Sequence, residues 1–152
     1  MVLGKPIICN KVENKRAVIE LFYLEESDEW HEKIHKNSGT VQENIDSTLA
    51  TISEESEMYE VDCNGELAAF FVRYEDNIGL ALEGFHVGKG YRNKEFFSAF
   101  WKIVKEKMGG TFYAGIYEKN KSAWSHLLKQ GFEVVSTIED KLENILILKI
   151  NL

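Results

Sequence analysis

NKSAWSHLLKQGF, residues 120–132, is the stretch on which the reading of this chain turns. KSAWSHLLKQ has the composition of a short helix, and Gly131 closes it, because glycine accepts the backbone that ends helices. Ahead of it TFYAGIYE (111–118) reads as a strand, and behind it FEVVSTIE and NILILKI read as a hairpin. Strand, helix and returning strands in succession describe a sheet with a helix packed on it.

Working upstream, GYRNKEFFSAFWKIVKEKM (90–108) is a basic, glycine-containing loop that feeds a helix. Phe96, Phe100 and Ile103 recur at helical intervals, and Gly109-Gly110 ends the helix. EMYEVDC (57–63), Asn64-Gly65 and ELAAFFVRYE (66–75) form a predicted β-hairpin, and Asp76-Asn77 turns into a third strand, IGLALEGFHV (78–87). Nearer the start, IICNKV (7–12) is an expected strand and RAVIELFYL (16–24) an expected helix. Ser27 is an N-cap for DEWHEKIHK, and Thr40 caps a helix in which Val41, Ile45, Leu49 and Ile52 share a face. The condensed order is β-α-α-β-β-β-α-β-α-β-β, an α/β (α+β) chain with a mixed, mostly antiparallel sheet flanked by helices.

The chain has 152 residues, 44% of them hydrophobic, one proline and no repeat, which is the size and composition of one domain spanning 1–152. Its net charge of −7 repels nucleic acid and anionic membranes and favours a cationic partner. Cys9 and Cys63 have no metal-ligand spacing and are expected to be reduced, buried thiols. The first residues are too short in apolar length for a signal peptide and no run approaches a membrane span, so the cytoplasm is the expected compartment.

In the last half of the chain the residues resemble the GCN5-related N-acetyltransferase superfamily. In that family a strand ending in Val leads through a loop to Arg or Gln, two residues, Gly, one residue, then Gly or Ala. Here Val87 ends the strand and Arg92 takes the first motif position, followed by Asn93 and Lys94. Glu95 stands at the first motif glycine, Phe96 follows, and Phe97 stands at the second. After the next strand the family often has Asn, Ala three residues on, Tyr four further, and a closing Gly-Phe. Asn120, Ala123 and Gly131-Phe132 match at that spacing, while Leu127 occupies the tyrosine position.

The resemblance implies an acyl-CoA N-acyltransferase-like fold and acetyl-CoA as cosubstrate. It implies that Phe85, His86, Val87, Arg92, Asn93, Lys94, Glu95, Phe96, Phe97, Asn120 and Ala123 surround that cosubstrate. A helix N-terminus offers N–H groups and a positive dipole end to phosphates, and glycine lets the backbone approach them. Glu95 adds a negative charge there, and Lys89, Arg92 and Lys94 can offset it. Acyl transfer to an amine also needs a base, and Glu83 is the candidate, an acid alone in an apolar run and on the face of Phe85 and Val87 by period two. His86 points to the opposite face. Leu127 cannot protonate a leaving sulfur, His126 is rotated away from that position, and Tyr113 and Tyr117 are other candidate donors.

His31-Glu32-Lys33-Ile34-His35 matches H-E-x-x-H, which on a helix puts two imidazoles on one face, with Glu54 and Glu55 downstream as third ligands. Its charged flanks argue for a solvated face, and no metal is expected. The leading expectation is an acyl-CoA-dependent N-acyltransferase acting on a small-molecule or peptide amine, with no nucleic-acid or membrane partner. The others are a catalytically degenerate binding or assembly protein of the same fold and, third, a zinc-binding hydrolase. Acceptor, acyl group and oligomeric state are left open, a homodimer included.

Overall fold

A computed structural model describes residues 7–34, 40–52, 54–75, 79–139 and 144–151. The chain begins with strand β1 (Ile7–Lys11) and three helices, α1 (Lys15–Tyr23), α2 (Asp28–Ile34) and α3 (Val41–Thr51). The condensed order counted two helices here; the seven-residue α2 is the extra one. The caps lie where the sequence puts them. The Trp30 N–H donates to Ser27 Oγ, and Thr40 forms a reciprocal capping box with Glu43.

β2 (Glu57–Cys63) and β3 (Glu66–Glu75) follow as a hairpin. Asn64 and Gly65 take φ values of 56° and 82°, the left-handed pair that matches the twist of the flanking strands. β4 (Leu80–Val87) runs antiparallel to β3, and the predicted turn at Asp76-Asn77, with Ile78, lies outside the described residues. A single 3₁₀ turn (Lys89–Tyr91) leads into α4 (Lys94–Met108). Then come β5 (Phe112–Tyr117), α5 (Lys121–Lys129), β6 (Glu133–Ile138) and β7 (Ile145–Ile150).

The sheet order is β1-β2-β3-β4-β5-β7-β6, antiparallel at every junction except β4–β5, which is parallel. Helices cover both faces. On one face α4 and α5 set Phe96, Phe100, Trp101, Val104 and Leu127 against Phe71, Leu82, Phe112 and Leu148. On the other, α1 and α3 set Ile19, Phe22 and Ile45 against Met58, Phe70 and Val72. Burying these side chains on two faces contributes roughly 1.5–3 kcal/mol for each large one. Cys9 and Cys63 lie on neighbouring strands, Cys63 buried as expected and Cys9 only half-buried. No helix among the described residues is long and apolar enough to cross a membrane.

Candidate functional site: a cleft where two strands part

Two irregularities in β4 make the site. The first is its pairing with β5, which comprises only Ala81↔Tyr113 and Leu82↔Ala114. Beyond Leu82 the strands diverge, and a cavity of about 880 Å³ opens between Glu83–Val87 on one side and Gly115–Tyr117 on the other. That is within the range of small-molecule sites. The second is a β-bulge. Val72 pairs with Gly84 and Arg73 with Leu82, so Glu83 is an extra residue with no opposite number.

The bulge corrects the expected orientation of Glu83. Leu82, Phe85 and Val87 all pack on the α4–α5 face, so the alternation breaks at Glu83. Its carboxylate accepts a hydrogen bond of 2.6 Å from Ser56 Oγ, on the side of α1 and α3, and the residue is half-buried in the cavity wall. Period two put it on the face of Phe85 and Val87; the bulge turns it to the other.

The expected cofactor residues divide into two groups. Phe85, His86, Val87, Arg92, Phe97, Asn120 and Ala123 line the cavity together with Glu83. Asn93, Lys94, Glu95 and Phe96 do not. Asn93 is the N-cap of α4, and its side chain accepts from the Phe96 N–H at 2.9 Å while its carbonyl accepts from the Phe97 N–H. Two of the amides expected to meet a phosphate are therefore already bonded within the helix. Phe96 is a fully buried core residue, and Glu95 points to solvent. Asn120 caps α5 in the same manner, accepting from the Ala123 N–H at 3.3 Å.

Arg92 is held by the protein itself. Its Nε donates to the Val87 carbonyl at 3.0 Å, and its Nη2 forms an ion pair with Glu26, whose side chain is 2% exposed. His86 Nε2 lies 3.2 Å from the same Glu26 oxygen, a close contact that is poorly aligned as a hydrogen bond. The imidazole is boxed in by Phe22, Tyr23, Trp30 and Phe70. Burial pushes the His86 pKa below its usual value, against the pull of Glu26. Burial would raise that of Glu26, but His86 and Arg92 together outweigh it and leave the carboxyl more acidic than usual. Nothing short-range in the sequence announced Glu26, which sits in the turn between α1 and α2.

Both shifts have the same sign for stability. Unfolded His86 takes up a proton near pH 6.5 while the folded side chain resists it, so stability falls as pH drops below that value. The contribution of Glu26 is present above its unfolded pKa near 4.5 and is lost as pH falls through the lower folded value. The melting temperature is expected to decline in two stages on acidification. His86→Phe, which keeps the aromatic packing, should weaken the first stage, to which His126 also contributes, and blunt the second, because His86 is one of the two groups that hold the Glu26 carboxyl down. A pH series of thermal melts on the two proteins checks this.

On the α5 side, Leu127 is fully buried and His126 lines the cavity, half-buried. Trp101 Nε1–H donates to His126 Nε2 at 2.6 Å, so the ring proton is on Nδ1. Burial and Lys129 lower the His126 pKa and keep the ring neutral at pH 7. The Phe97 ring lies against it, with centroids 4.3 Å apart, bridging α4 to α5. Tyr117 also faces the cleft, whereas Tyr113 is not on its wall.

His31, the first histidine of the H-E-x-x-H pattern, is 1% exposed, and its Nε2 donates to the Tyr23 carbonyl at 2.9 Å. His35 lies outside the described residues. Among the described residues no three His, Cys, Asp or Glu side chains converge as metal ligands would.

No family model and no curated relative matches the chain. Solved structures do. An aminoglycoside N(6')-acetyltransferase from Legionella pneumophila superposes with a TM-score of 0.68 at 11% identity, over 95% of this chain and 91% of that one. An IAA acetyltransferase from Bacillus cereus gives 0.64 at 12% identity, over 97% and 100%. A GNAT family acetyltransferase from Elizabethkingia anophelis, solved with acetyl-CoA bound, gives 0.62 at 16% identity, over 96% and 98%. With its seven-stranded mixed sheet flanked by helices, superposing on these structures over nearly their whole length, the chain has the fold of the GCN5-related N-acetyltransferases.

Proposed function

We propose that this chain is an acyl-CoA-dependent N-acyltransferase with acetyl-CoA as cosubstrate and an amine as acceptor. The observation that carries the reading is the cleft itself, which joins the two faces of the sheet and has the Glu83 carboxylate in its wall. Two substrates can then meet edge to edge through the gap in the sheet, which is the proximity a transfer reaction needs.

The residues present accommodate the cosubstrate at both ends of the molecule. The diverging strands provide an apolar slot for a pantetheine-like arm, bounded by Phe85, Val87 and Ile116. Lys119, Lys121 and Lys129 on the same wall suit its phosphates. When bound, acetyl-CoA supplies an activated acyl group as a thioester. Glu83 takes the proton that the amine must lose as the C–N bond forms. Backbone N–H groups of β4 are the donors for the carbonyl oxygen. The leaving sulfur needs no acid to depart, because a thiol pKa is only about 8.5. The donors nearest to hand are the Nδ1–H of His126 and the hydroxyl of Tyr117.

A second reading, a binding protein of this fold with lost chemistry, is favoured by one contact. Phe97 and His126 touch across α4 and α5, where the family has a glycine or alanine at the first of these positions. One titration separates the two. Acetyl-CoA at a hundredfold excess over its Kd should stabilise the protein by about 2.7 kcal/mol in a thermal-shift assay. No shift at millimolar concentration would sink the enzyme reading. Phe97→Ala should open the contact and tighten acetyl-CoA about tenfold, or 1.4 kcal/mol. Glu95→Gly, at a solvent-facing position, should change it far less.

A further inference from the structure

We propose that the acceptor is a small primary amine with an apolar or aromatic body and no carboxylate or phosphate, an inference that rests on the acyltransferase reading above. The two ends of the cleft differ in charge. The α5 end carries the three lysines already named, which suits a polyanionic donor. The end beneath α1 and α3 is walled by Tyr23, Trp30, Phe70 and Thr48, with Glu83 at its floor.

The polar atoms of that wall are largely spent on one another. The Tyr23 hydroxyl is hydrogen-bonded to Thr48 Oγ1 at 2.9 Å, and Thr51 Oγ1 donates to the Thr48 carbonyl at 2.7 Å. What they present to a ligand is therefore mainly ring faces and methyl groups. Among the described residues lining this end there is no lysine, and Arg92 spends Nε on the Val87 carbonyl and Nη2 on Glu26, whose carboxylate balances its charge. Lys15 donates to the Ser56 carbonyl, behind Glu83, and is not on the wall. An acceptor carboxylate would be desolvated beside Glu83 with no cation supplied to it. An ammonium donates a charge-assisted hydrogen bond to the Glu83 carboxylate and gains the attraction of aromatic faces. The net charge of −7 steers cations toward the protein at long range. The bulge that turns Glu83 away from Phe85 is what gives this end its carboxylate.

The test is a calorimetric titration of the full chain with 2-phenylethylamine, L-phenylalanine and spermidine, alongside acetylation of each and of an unblocked peptide by acetyl-CoA. Phenylethylamine should bind and be acetylated with the highest kcat/KM. The carboxylate of phenylalanine should cost at least about tenfold in affinity, since it places like charges together in a screened site. Trp30→Ala and Glu83→Gln should each weaken phenylethylamine about tenfold through loss of the aromatic face and of the charge, with acetyl-CoA affinity unchanged. Melting curves establish that both variants are folded, and Trp30→Phe should restore most of the Trp30→Ala loss. Equal affinity for phenylalanine, or preference for spermidine or peptide, overturns the proposal while leaving the acyltransferase reading intact. Phenylethylamine binding with no acetyl-CoA binding does the reverse, keeping the amine site and removing the acyltransferase reading.

Discussion

Glu83→Gln is expected to lower kcat by about 10²- to 10⁴-fold, the usual contribution of a general base. The substitution is nearly isosteric, and a glutamine oxygen can still accept the 2.6 Å hydrogen bond from Ser56, so the bulge and the cleft wall should persist. What disappears is the ability to hold the amine's proton. Acetyl-CoA should therefore keep its Kd, the amine should lose affinity with the charge, and kcat should fall beyond either change. A Glu83→Gln enzyme with wild-type kcat would remove this carboxylate from the chemistry.

Arg92→Ala should cost about 3–5 kcal/mol of folding stability, the penalty for leaving a buried charge without its partner. Arg92 is itself 36% exposed, so its position suggests a weak surface pair, but the charge left behind is the 2%-exposed Glu26. The neighbouring His86 is held neutral by burial and does not replace the guanidinium. The deficit should also narrow at lower pH, because an orphaned Glu26 has its pKa raised and escapes by protonation. Urea unfolding at pH 7.5 and pH 5 measures both features. The double variant Glu26→Gln/Arg92→Met should recover much of the loss, since neutralising both partners removes the uncompensated charge. A deficit of less than about 1 kcal/mol at both pH values would mean the pair behaves as an exposed one.

These two residues also mark where the sequence was legible and where it was not. Element ends were readable because their causes are local. Thr40 and Ser27 cap, Asn64-Gly65 turns, and Gly109, Gly110 and Gly131 take positive φ at the stops the sequence assigned them. The spacing of Asn120, Ala123 and Gly131 survived for the same reason: a cap and a stop at a set helix length. Glu83 was singled out as a base and lines the cleft, but period two aimed it to the other side, because counting by two cannot register an inserted residue. Arg92 was read as a cosubstrate-binding residue and does line the cleft, but its ion pair with Glu26 was not legible, because that partner lies 66 residues away in a turn with no periodicity. Phe96 and Phe97 looked alike in sequence, yet a helical step of about 100° sends one into the core and the other to the cleft.

The two rungs between β4 and β5 have a mechanical meaning as well. A seven-stranded sheet joined at one place by Ala81↔Tyr113 and Leu82↔Ala114 alone is two smaller sheets, β1–β4 and β5–β7, stitched by a short seam. Backbone pairing elsewhere runs over five or more register positions, so the seam is the junction with the fewest bonds to lose. A molecule lodged in the gap stands where further rungs would be and couples the halves. The core that Phe71 and Leu82 share with Phe112 and Leu148 still ties the halves on one face, so local opening is expected to begin at the seam.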